Sequence, residues 1–314
     1  MEATLSAILS LILSASGASV TVDDLATDFA RRDVVFLGEE HDNDAGHRMQ
    51  LDIVRALYAR RADLVISMEM FERDVQGVMN DYLRGRIDEK TFLEHSRPWK
   101  GYKKHYRPII EFAKANGLDV ICACSPWRLS KVKEVGGDPD AYIARSITTP
   151  KDRYFDLFKE SMKEHPGEID AKAMDRMYLG QCRRDDTMAE AIADYLQGHR
   201  HRRPLVVHLN GKFHSDYGLG TAIRVLQRRP LAQIGVVSMQ SAEDPAKAEV
   251  AKDLDRAHYT LVVKAQPKKK PAKPVAKATK PNDEKPAKPA AGVTPPKPTK
   301  PTETVEVTLG VSHR

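Results

Sequence analysis

Val34-Val35-Phe36-Leu37-Gly38-Glu39-Glu40-His41 and, far downstream, Leu205-Val206-Val207-His208-Leu209-Asn210-Gly211-Lys212-Phe213-His214 decide the fold. Each is a short apolar, β-branched run that ends in Gly-x-x-His. Runs of this kind bounded by glycine read as strands covered on both faces. In open α/β sheets ligands collect beyond the carboxyl ends of the strands, so His41 and His214 are candidates to face one crevice. A single such turn says little, because glycine after a strand is ordinary turn chemistry and a lone histidine is more often structural than a ligand. Two copies in the same context are harder to dismiss.

Outward from these runs, strands are expected over residues 64–68, 119–123, 234–239 and 259–264, with helices between them. Asp44 is suited to cap a helix over 45–60 that carries Met49, Ile53, Val54 and Leu57 on one side, and Val75, Val78, Met79, Tyr82 and Leu83 repeat at helical spacing. A long helix starts from an Asp170 cap and runs to 196, and shorter helical patterns cover 129–135 and the segments before 162. Five to six strands alternating with helices predict an α/β fold, a three-layer sandwich around a mostly parallel central sheet. Glu69 falls at the end of the second strand, where a carboxylate serves as metal ligand, general base or partner of a histidine; Glu72 fits the N-terminal charge of the next helix.

The 314 residues are 41% hydrophobic, enough for a sizeable core, and carry a formal charge of +6. That charge is unevenly placed: residues 267–303 hold ten lysines against Asp283, Glu284 and Glu303, which leaves residues 1–266 close to neutral. No specific nucleic-acid-binding domain is indicated, although the basic tail suits weak contact with anionic surfaces. Cys122, Cys124 and Cys182 form no Cys-x-x-Cys pair and read as small buried hydrophobes. The expected division is 1–19 as either a signal-like segment or an edge strand, 20–265 as the α/β domain, 266–303 as a disordered Lys/Pro/Ala linker and 304–314 as an isolated strand-like stub. The apolar run 5–13 followed by small residues resembles a signal h-region, without a basic n-region and without a lipobox cysteine.

Two further stretches stand out. Residues 86–106 mix Trp99, Tyr102, Tyr106, His95 and His105 with many charges and lack periodicity, which suggests a partly exposed excursion or lid. Arg183-Arg184-Asp185-Asp186-Thr187 interrupts the apolar side of the long helix; a solvated charge cluster is the default reading, and Arg184 beside Asp186 is also suited to orient an acidic ligand.

Taken together, residues 34–43, 68–76, 96–108, 184–189 and 207–220 resemble the ChaN family of bacterial haem-binding proteins, which is grouped with Tiki-type proteins and relatives of erythromycin esterase. The resemblance implies haem binding in iron uptake, a homodimer, a cell-envelope or periplasmic location, and a tyrosine and a histidine among the haem contacts. On matching positions the candidates are Tyr102, Tyr106 and Tyr217, with His41, His208, His214, Arg184 and Asp186 around the same ligand. The wider Tiki-type group implies the alternative, a metal-dependent hydrolase in which His41, His214 and Glu69 hold a divalent metal ion and Glu39 or Glu69 takes a proton from bound water. Whether the chain is an enzyme is left open by the residues, since one crevice of histidines and carboxylates suits either use.

Overall fold

The computed structural model describes residues 10–126, 138–163, 167–248 and 254–266. The chain divides into two units, Met1–Pro267 and Lys268–Arg314, and all described residues belong to the first. The expected linker and C-terminal strand-like stub, and the helix over 129–135, lie outside the described residues.

Among the described residues eight strands form one sheet: β1 (Ser10–Ser14), β2 (Ser19–Val20), β3 (Val34–Glu39), β4 (Leu64–Glu72), β5 (Val120–Cys124), β6 (Leu205–Gly211), β7 (Ile234–Ala242) and β8 (Tyr259–Lys264), in the order β2-β1-β8-β7-β3-β6-β4-β5. The six strands from β8 to β5 run parallel, as expected; the extra two are an antiparallel hairpin, β1–β2, that closes the edge against β8. Ile12 and Leu13 are buried in that hairpin, so this part of the N-terminal apolar run is a sheet strand one place in from the edge, which β2 forms instead.

The helices are α1 (Val22–Phe29), α2 (Asp44–Arg60), α3 (Gln76–Leu83), α4 (Glu89–Ser96), α5 (Tyr102–His105), α6 (Arg107–Ala115), α7 (Arg153–Met162), α8 (Ala171–Gly198) and α9 (Thr221–Arg228). Side chains alternate between the sheet faces, and both faces are covered. Val35, Leu37, Ile66, Val207 and Leu209 meet Ile53, Val54 and Leu57 of α2 and Ile109 and Ile110 of α6. On the other face Val34, Phe36, Val65 and Val206 meet Met188 and Ile192 of α8 and Val225 of α9.

Three local readings change. The cap of α2 is Asn43, whose side chain accepts from the Gly46 N–H, and Asp44 is the first helical residue. Residues 86–106 are partly exposed, but they pack onto the body rather than forming a lid: Phe92, Tyr102 and Tyr106 sit in the core, and periodicity is lost where the short helices α4 and α5 are joined across left-handed Arg97 and Gly101. The Asp185-Asp186-Thr187 run is fully buried rather than solvated, since each side chain has internal partners. In addition, β4 continues to Glu72 through an irregularity in its pairing with β5 after Met68.

Candidate functional site

The parallel neighbours β3 and β6 pair in register from Val34↔Val206 to Glu39↔Gly211. The chain leaves β3 into α2 on one face of the sheet and leaves β6 into α9 on the other. Adjacent strands whose crossovers diverge leave a crevice at their carboxyl ends, and both Gly-x-x-His turns stand in it.

The two turns interlock through their glycines. A side chain on Gly211 would place its Cβ 2.8 Å from His41 Cε1 and 2.9 Å from His41 Nε2, so the bare α-carbon is the floor on which that ring rests. A Cβ on Gly38 would fall 2.9 Å from Lys212 Cα and 3.1 Å from Ser215 Oγ. Each motif thus opens the space that the other fills.

His41 Nδ1 lies 2.9 Å from Glu39 Oε1. Glu39 is itself fixed by the Tyr106 hydroxyl, which donates at 2.7 Å, and by Gln50 Nε2 at 2.9 Å. The His41 side chain is 48% exposed and its ring meets Trp99 edge-on at 5.1 Å between centroids. Burial lowers the His41 pKa, but the Glu39 hydrogen bond and the charges of Glu69 and Glu39 outweigh it, so the net direction is upward.

Glu69 marks the place where β4 and β6 part, one residue past the Met68↔Leu209 pair. Its Oε2 accepts the Gly211 N–H at 2.7 Å and its Oε1 lies 3.2 Å from His214 Nε2. The second face of His214 is held by Asp185 of α8, with Nδ1 2.7 Å from Asp185 Oδ1. Asp185 also accepts from the Tyr154 and Thr221 hydroxyls, at 2.7 Å and 2.9 Å. Burial alone would depress the His214 pKa; Glu69 and Asp185 prevail and raise it to about 10, which makes this imidazole a fixed cation. Glu69, despite its own burial, is lowered to about 2 by His214.

These groups open into a cleft of about 670 Å³, a size that suits a drug-sized ligand. Trp99, Phe158, Met162 and Phe213 supply apolar wall, and Arg183, Arg184 and Lys212 supply positive charge. Arg183 Nε is buried with no hydrogen-bond partner among the described residues, whereas Lys212 is paired with Glu40 at 2.6 Å and Arg184 donates to Gln181 Oε1 at 2.7 Å.

Of the residues singled out in the sequence, the structure brings together Glu39, His41, Glu69, His214 and Arg184. Trp99, Arg183 and Glu72 line the same cleft, whereas the remaining ligand candidates lie apart from its wall. Tyr102 packs against Phe71 and Phe92, and Tyr106 reaches the site only through Glu39. Tyr217 stands in a neighbouring hollow beneath Arg153 and Arg256. Asp186 pairs with Arg224 and Arg228, and His208 is sealed beneath the site against Ser67, its pKa depressed by burial to about 3. Among the described residues no three His, Cys, Asp or Glu side chains are arranged to hold a metal ion. Asp185 and Gln181 were missed, although residues 178, 181, 182, 185, 188, 189 and 192 fall on one helical face, a phase that places Asp185 inward.

A sequence profile of the family described as haem-binding uptake, Tiki superfamily, ChaN matches residues 25–225. Among solved structures the chain is similar to ChaN of Campylobacter jejuni, described for its cofacial haem binding, with a TM-score of 0.62 at 19% identity over 82% of this chain and 97% of that one. It is also similar to the type III effector HopBA1, with a TM-score of 0.46 at 11% identity over 78% of this chain and 94% of that one. Protein RETICULATA-RELATED 5, chloroplastic, of Arabidopsis thaliana is 24% identical over 111 residues, 33% of this chain and only 15% of that protein's length. With the profile spanning β3 to α9 and both interlocked turns, this chain belongs to the ChaN family of the Tiki superfamily, the haem-binding uptake family.

Proposed function

We propose that the chain binds haem in the cleft between the two Gly-x-x-His turns, with His41 toward the iron. The observation that carries this is the Glu39–His41 pair. A carboxylate on one ring nitrogen fixes tautomer and orientation and raises ligand basicity at the other, the usual support of an iron- or zinc-bound histidine. Nδ1 is held by Glu39 and Nε2 meets no hydrogen-bond partner among the described residues, in a half-exposed ring. Trp99, Phe158 and Phe213 suit the faces of a flat macrocycle. Arg183, with its unpartnered buried Nε–H, and Arg184 suit its carboxylates. When bound, haem supplies an open iron coordination position; the protein's part is to orient His41 and exclude water. The tyrosines proposed from sequence act on this reading as supports of the site rather than as iron ligands. A role in iron uptake, a location in the cell envelope and a homodimer belong to the same proposal. Titration of the purified chain with haemin is expected to give a saturable Soret shift that is lost in His41→Ala, with the haem-to-chain ratio and oligomeric state read on the same samples. A shift no larger than that of an unrelated protein would overturn it.

The same pair favours a second reading, hydrolysis with His41 as general base. Arg183 and Arg184 on the cleft wall are then suited to stabilise developing negative charge, since both His214 nitrogens are taken by Glu69 and Asp185. The version with a divalent metal ion held by His41, His214 and Glu69 is disfavoured because both His214 nitrogens face carboxylates. Metal analysis of the purified chain and screening of ester substrates with wild type and His41→Ala separate the versions: metal-independent turnover lost in the variant supports the second reading, and no turnover rejects it.

A further inference from the structure

The opposite rim of the sheet, where the parallel strands begin, carries a different chemistry. The segments entering β3, β4, β6 and β7 bring Arg31, Arg32, Arg60, Arg61, Arg200, Arg202, Arg203, Arg228 and Arg229 to one end of a domain whose total charge is close to zero. Part of this set has a structural purpose. Four helices end at this rim, and cations at helix C-termini offset the partial negative charge of the last carbonyls. Arg60, Arg61 and Arg228 do so, donating to the carbonyls of Ala56, of Ala30 and Arg32, and of Arg224. Arg32 and Arg202 are paired with Asp28 and Asp63.

The remainder donates to no helix-end carbonyl and joins no ion pair among the described residues. Arg31, Arg200 and Arg203 are exposed and their side chains bond to no group among the described residues, and Arg229 meets only the neutral Gln197. Arg200, Arg203, Arg228 and Arg229 line a depression of about 380 Å³ in which Asp33 is the sole carboxylate among the described lining residues. On its lip stands Leu231, 95% exposed, one of two exposed large hydrophobic side chains among the described residues. Arginines with an apolar side chain projecting between them are the composition of a surface that meets lipid: guanidinium groups take headgroup phosphates, and the leucine enters the interface.

We propose that this rim docks on an anionic membrane surface, with headgroup phosphates at Arg200, Arg203 and Arg229 and Leu231 inserted. The cleft lies at the other end of the same strands, so a docked molecule presents it away from the bilayer. The inference does not depend on what the cleft binds.

The test is co-sedimentation of the full chain with phosphatidylcholine vesicles, with and without phosphatidylglycerol. The tail also carries lysines, so K268A/K269A/K270A serves as the comparison for R200A/R203A/R229A, with Leu231→Ser as the apolar probe. The expected result is binding only to the anionic vesicles, reduced about tenfold or more by the triple arginine change. Leu231→Ser should reduce it about threefold, and the tail change less than the arginine change. Single Arg200→Glu replaces the triple variant if the latter does not fold. The proposal is overturned if the arginine variants partition like wild type, if the tail change alone abolishes binding, or if Leu231→Ser is without effect while the arginine change abolishes retention on RNA.

Discussion

His214 is clamped between carboxylates from two different elements, Asp185 of α8 at 2.7 Å from Nδ1 and Glu69 of β4 at 3.2 Å from Nε2. The sheet and the long helix therefore meet through one buried cation. Neither acid alone would balance the cost of burying it.

That clamp makes stability depend on pH in a defined window. His214 is raised from 6.5 to about 10, so its contribution is complete below pH 6.5 and fades as pH climbs toward 10. Glu69 is lowered from 4.5 to about 2, so its contribution is complete above pH 4.5 and fades as pH falls toward 2. Denaturant midpoints are expected to be highest between these limits for this pair, with an alkaline decline that flattens in Asp185→Asn. That variant should also lose about 3 kcal/mol at pH 6, since it strips a buried cation of one partner. An unchanged alkaline slope would contradict the assignment.

The two motif glycines should fail in different ways when given a methyl group. In Gly211→Ala the new Cβ meets the tip of the half-exposed His41 ring, which can swing away; the melting temperature is expected to stay within a few degrees while haemin affinity falls at least tenfold. In Gly38→Ala the collision is with the Lys212 backbone, and a loss of about 1–3 kcal/mol in stability is expected instead. Thermal melts and haemin titrations on both variants decide this.

Axial ligation can be read from the spectrum. Tyr102→Phe and Tyr106→Phe should leave the position of the haem bands as in wild type, because Tyr102 lies in the core and the Tyr106 hydroxyl is occupied by Glu39. Tyr106→Phe should cost about 1.5–3 kcal/mol through that hydrogen bond to a carboxylate. His41→Ala should shift the bands. A tyrosinate-type spectrum that disappears in either tyrosine variant would reverse the roles.

Adjacent members of the charged run on α8 should separate fold from ligand. Asp186 neutralises Arg224 and Arg228 in the interior, so Asp186→Ala is expected to cost about 3–5 kcal/mol or abolish folding. Arg184→Ala removes a half-buried side chain on the cleft wall and should weaken haemin binding with little effect on the melt. Equal thermal shifts in the two variants would refute the distinction.

What the sequence exposes is whatever depends on strand ends and period. The parallel sheet, the crevice, His41 and His214 follow from apolar runs stopped by glycine, and Glu69 from the first charge after the apolar run 64–68, although that strand continues to Glu72. Asp185 was hidden because Arg183-Arg184-Asp185-Asp186 reads as a solvated face, and only the helical phase with Tyr178, Cys182 and Ile192 turns it inward. Tyr106 shows how two signals in one stretch can point different ways. It shares a face with Ile109, Ile110 and Ala113, which marks it as core, yet its aromatic, basic neighbourhood suggested a ligand surface. Charge clusters are the weakest part of such a reading, since a carboxylate's role depends on a partner distant in sequence.

The mutual fit of the two glycine turns also bears on how the chain is made. More than half of the sequence separates Gly38 from Gly211, and His41 has no floor until β6 has docked beside β3. Contacts this distant form late, after the loop between them has closed. A nascent chain emerging from the ribosome therefore cannot seat the His41 ring until synthesis has passed Gly211 and β6 has paired with β3.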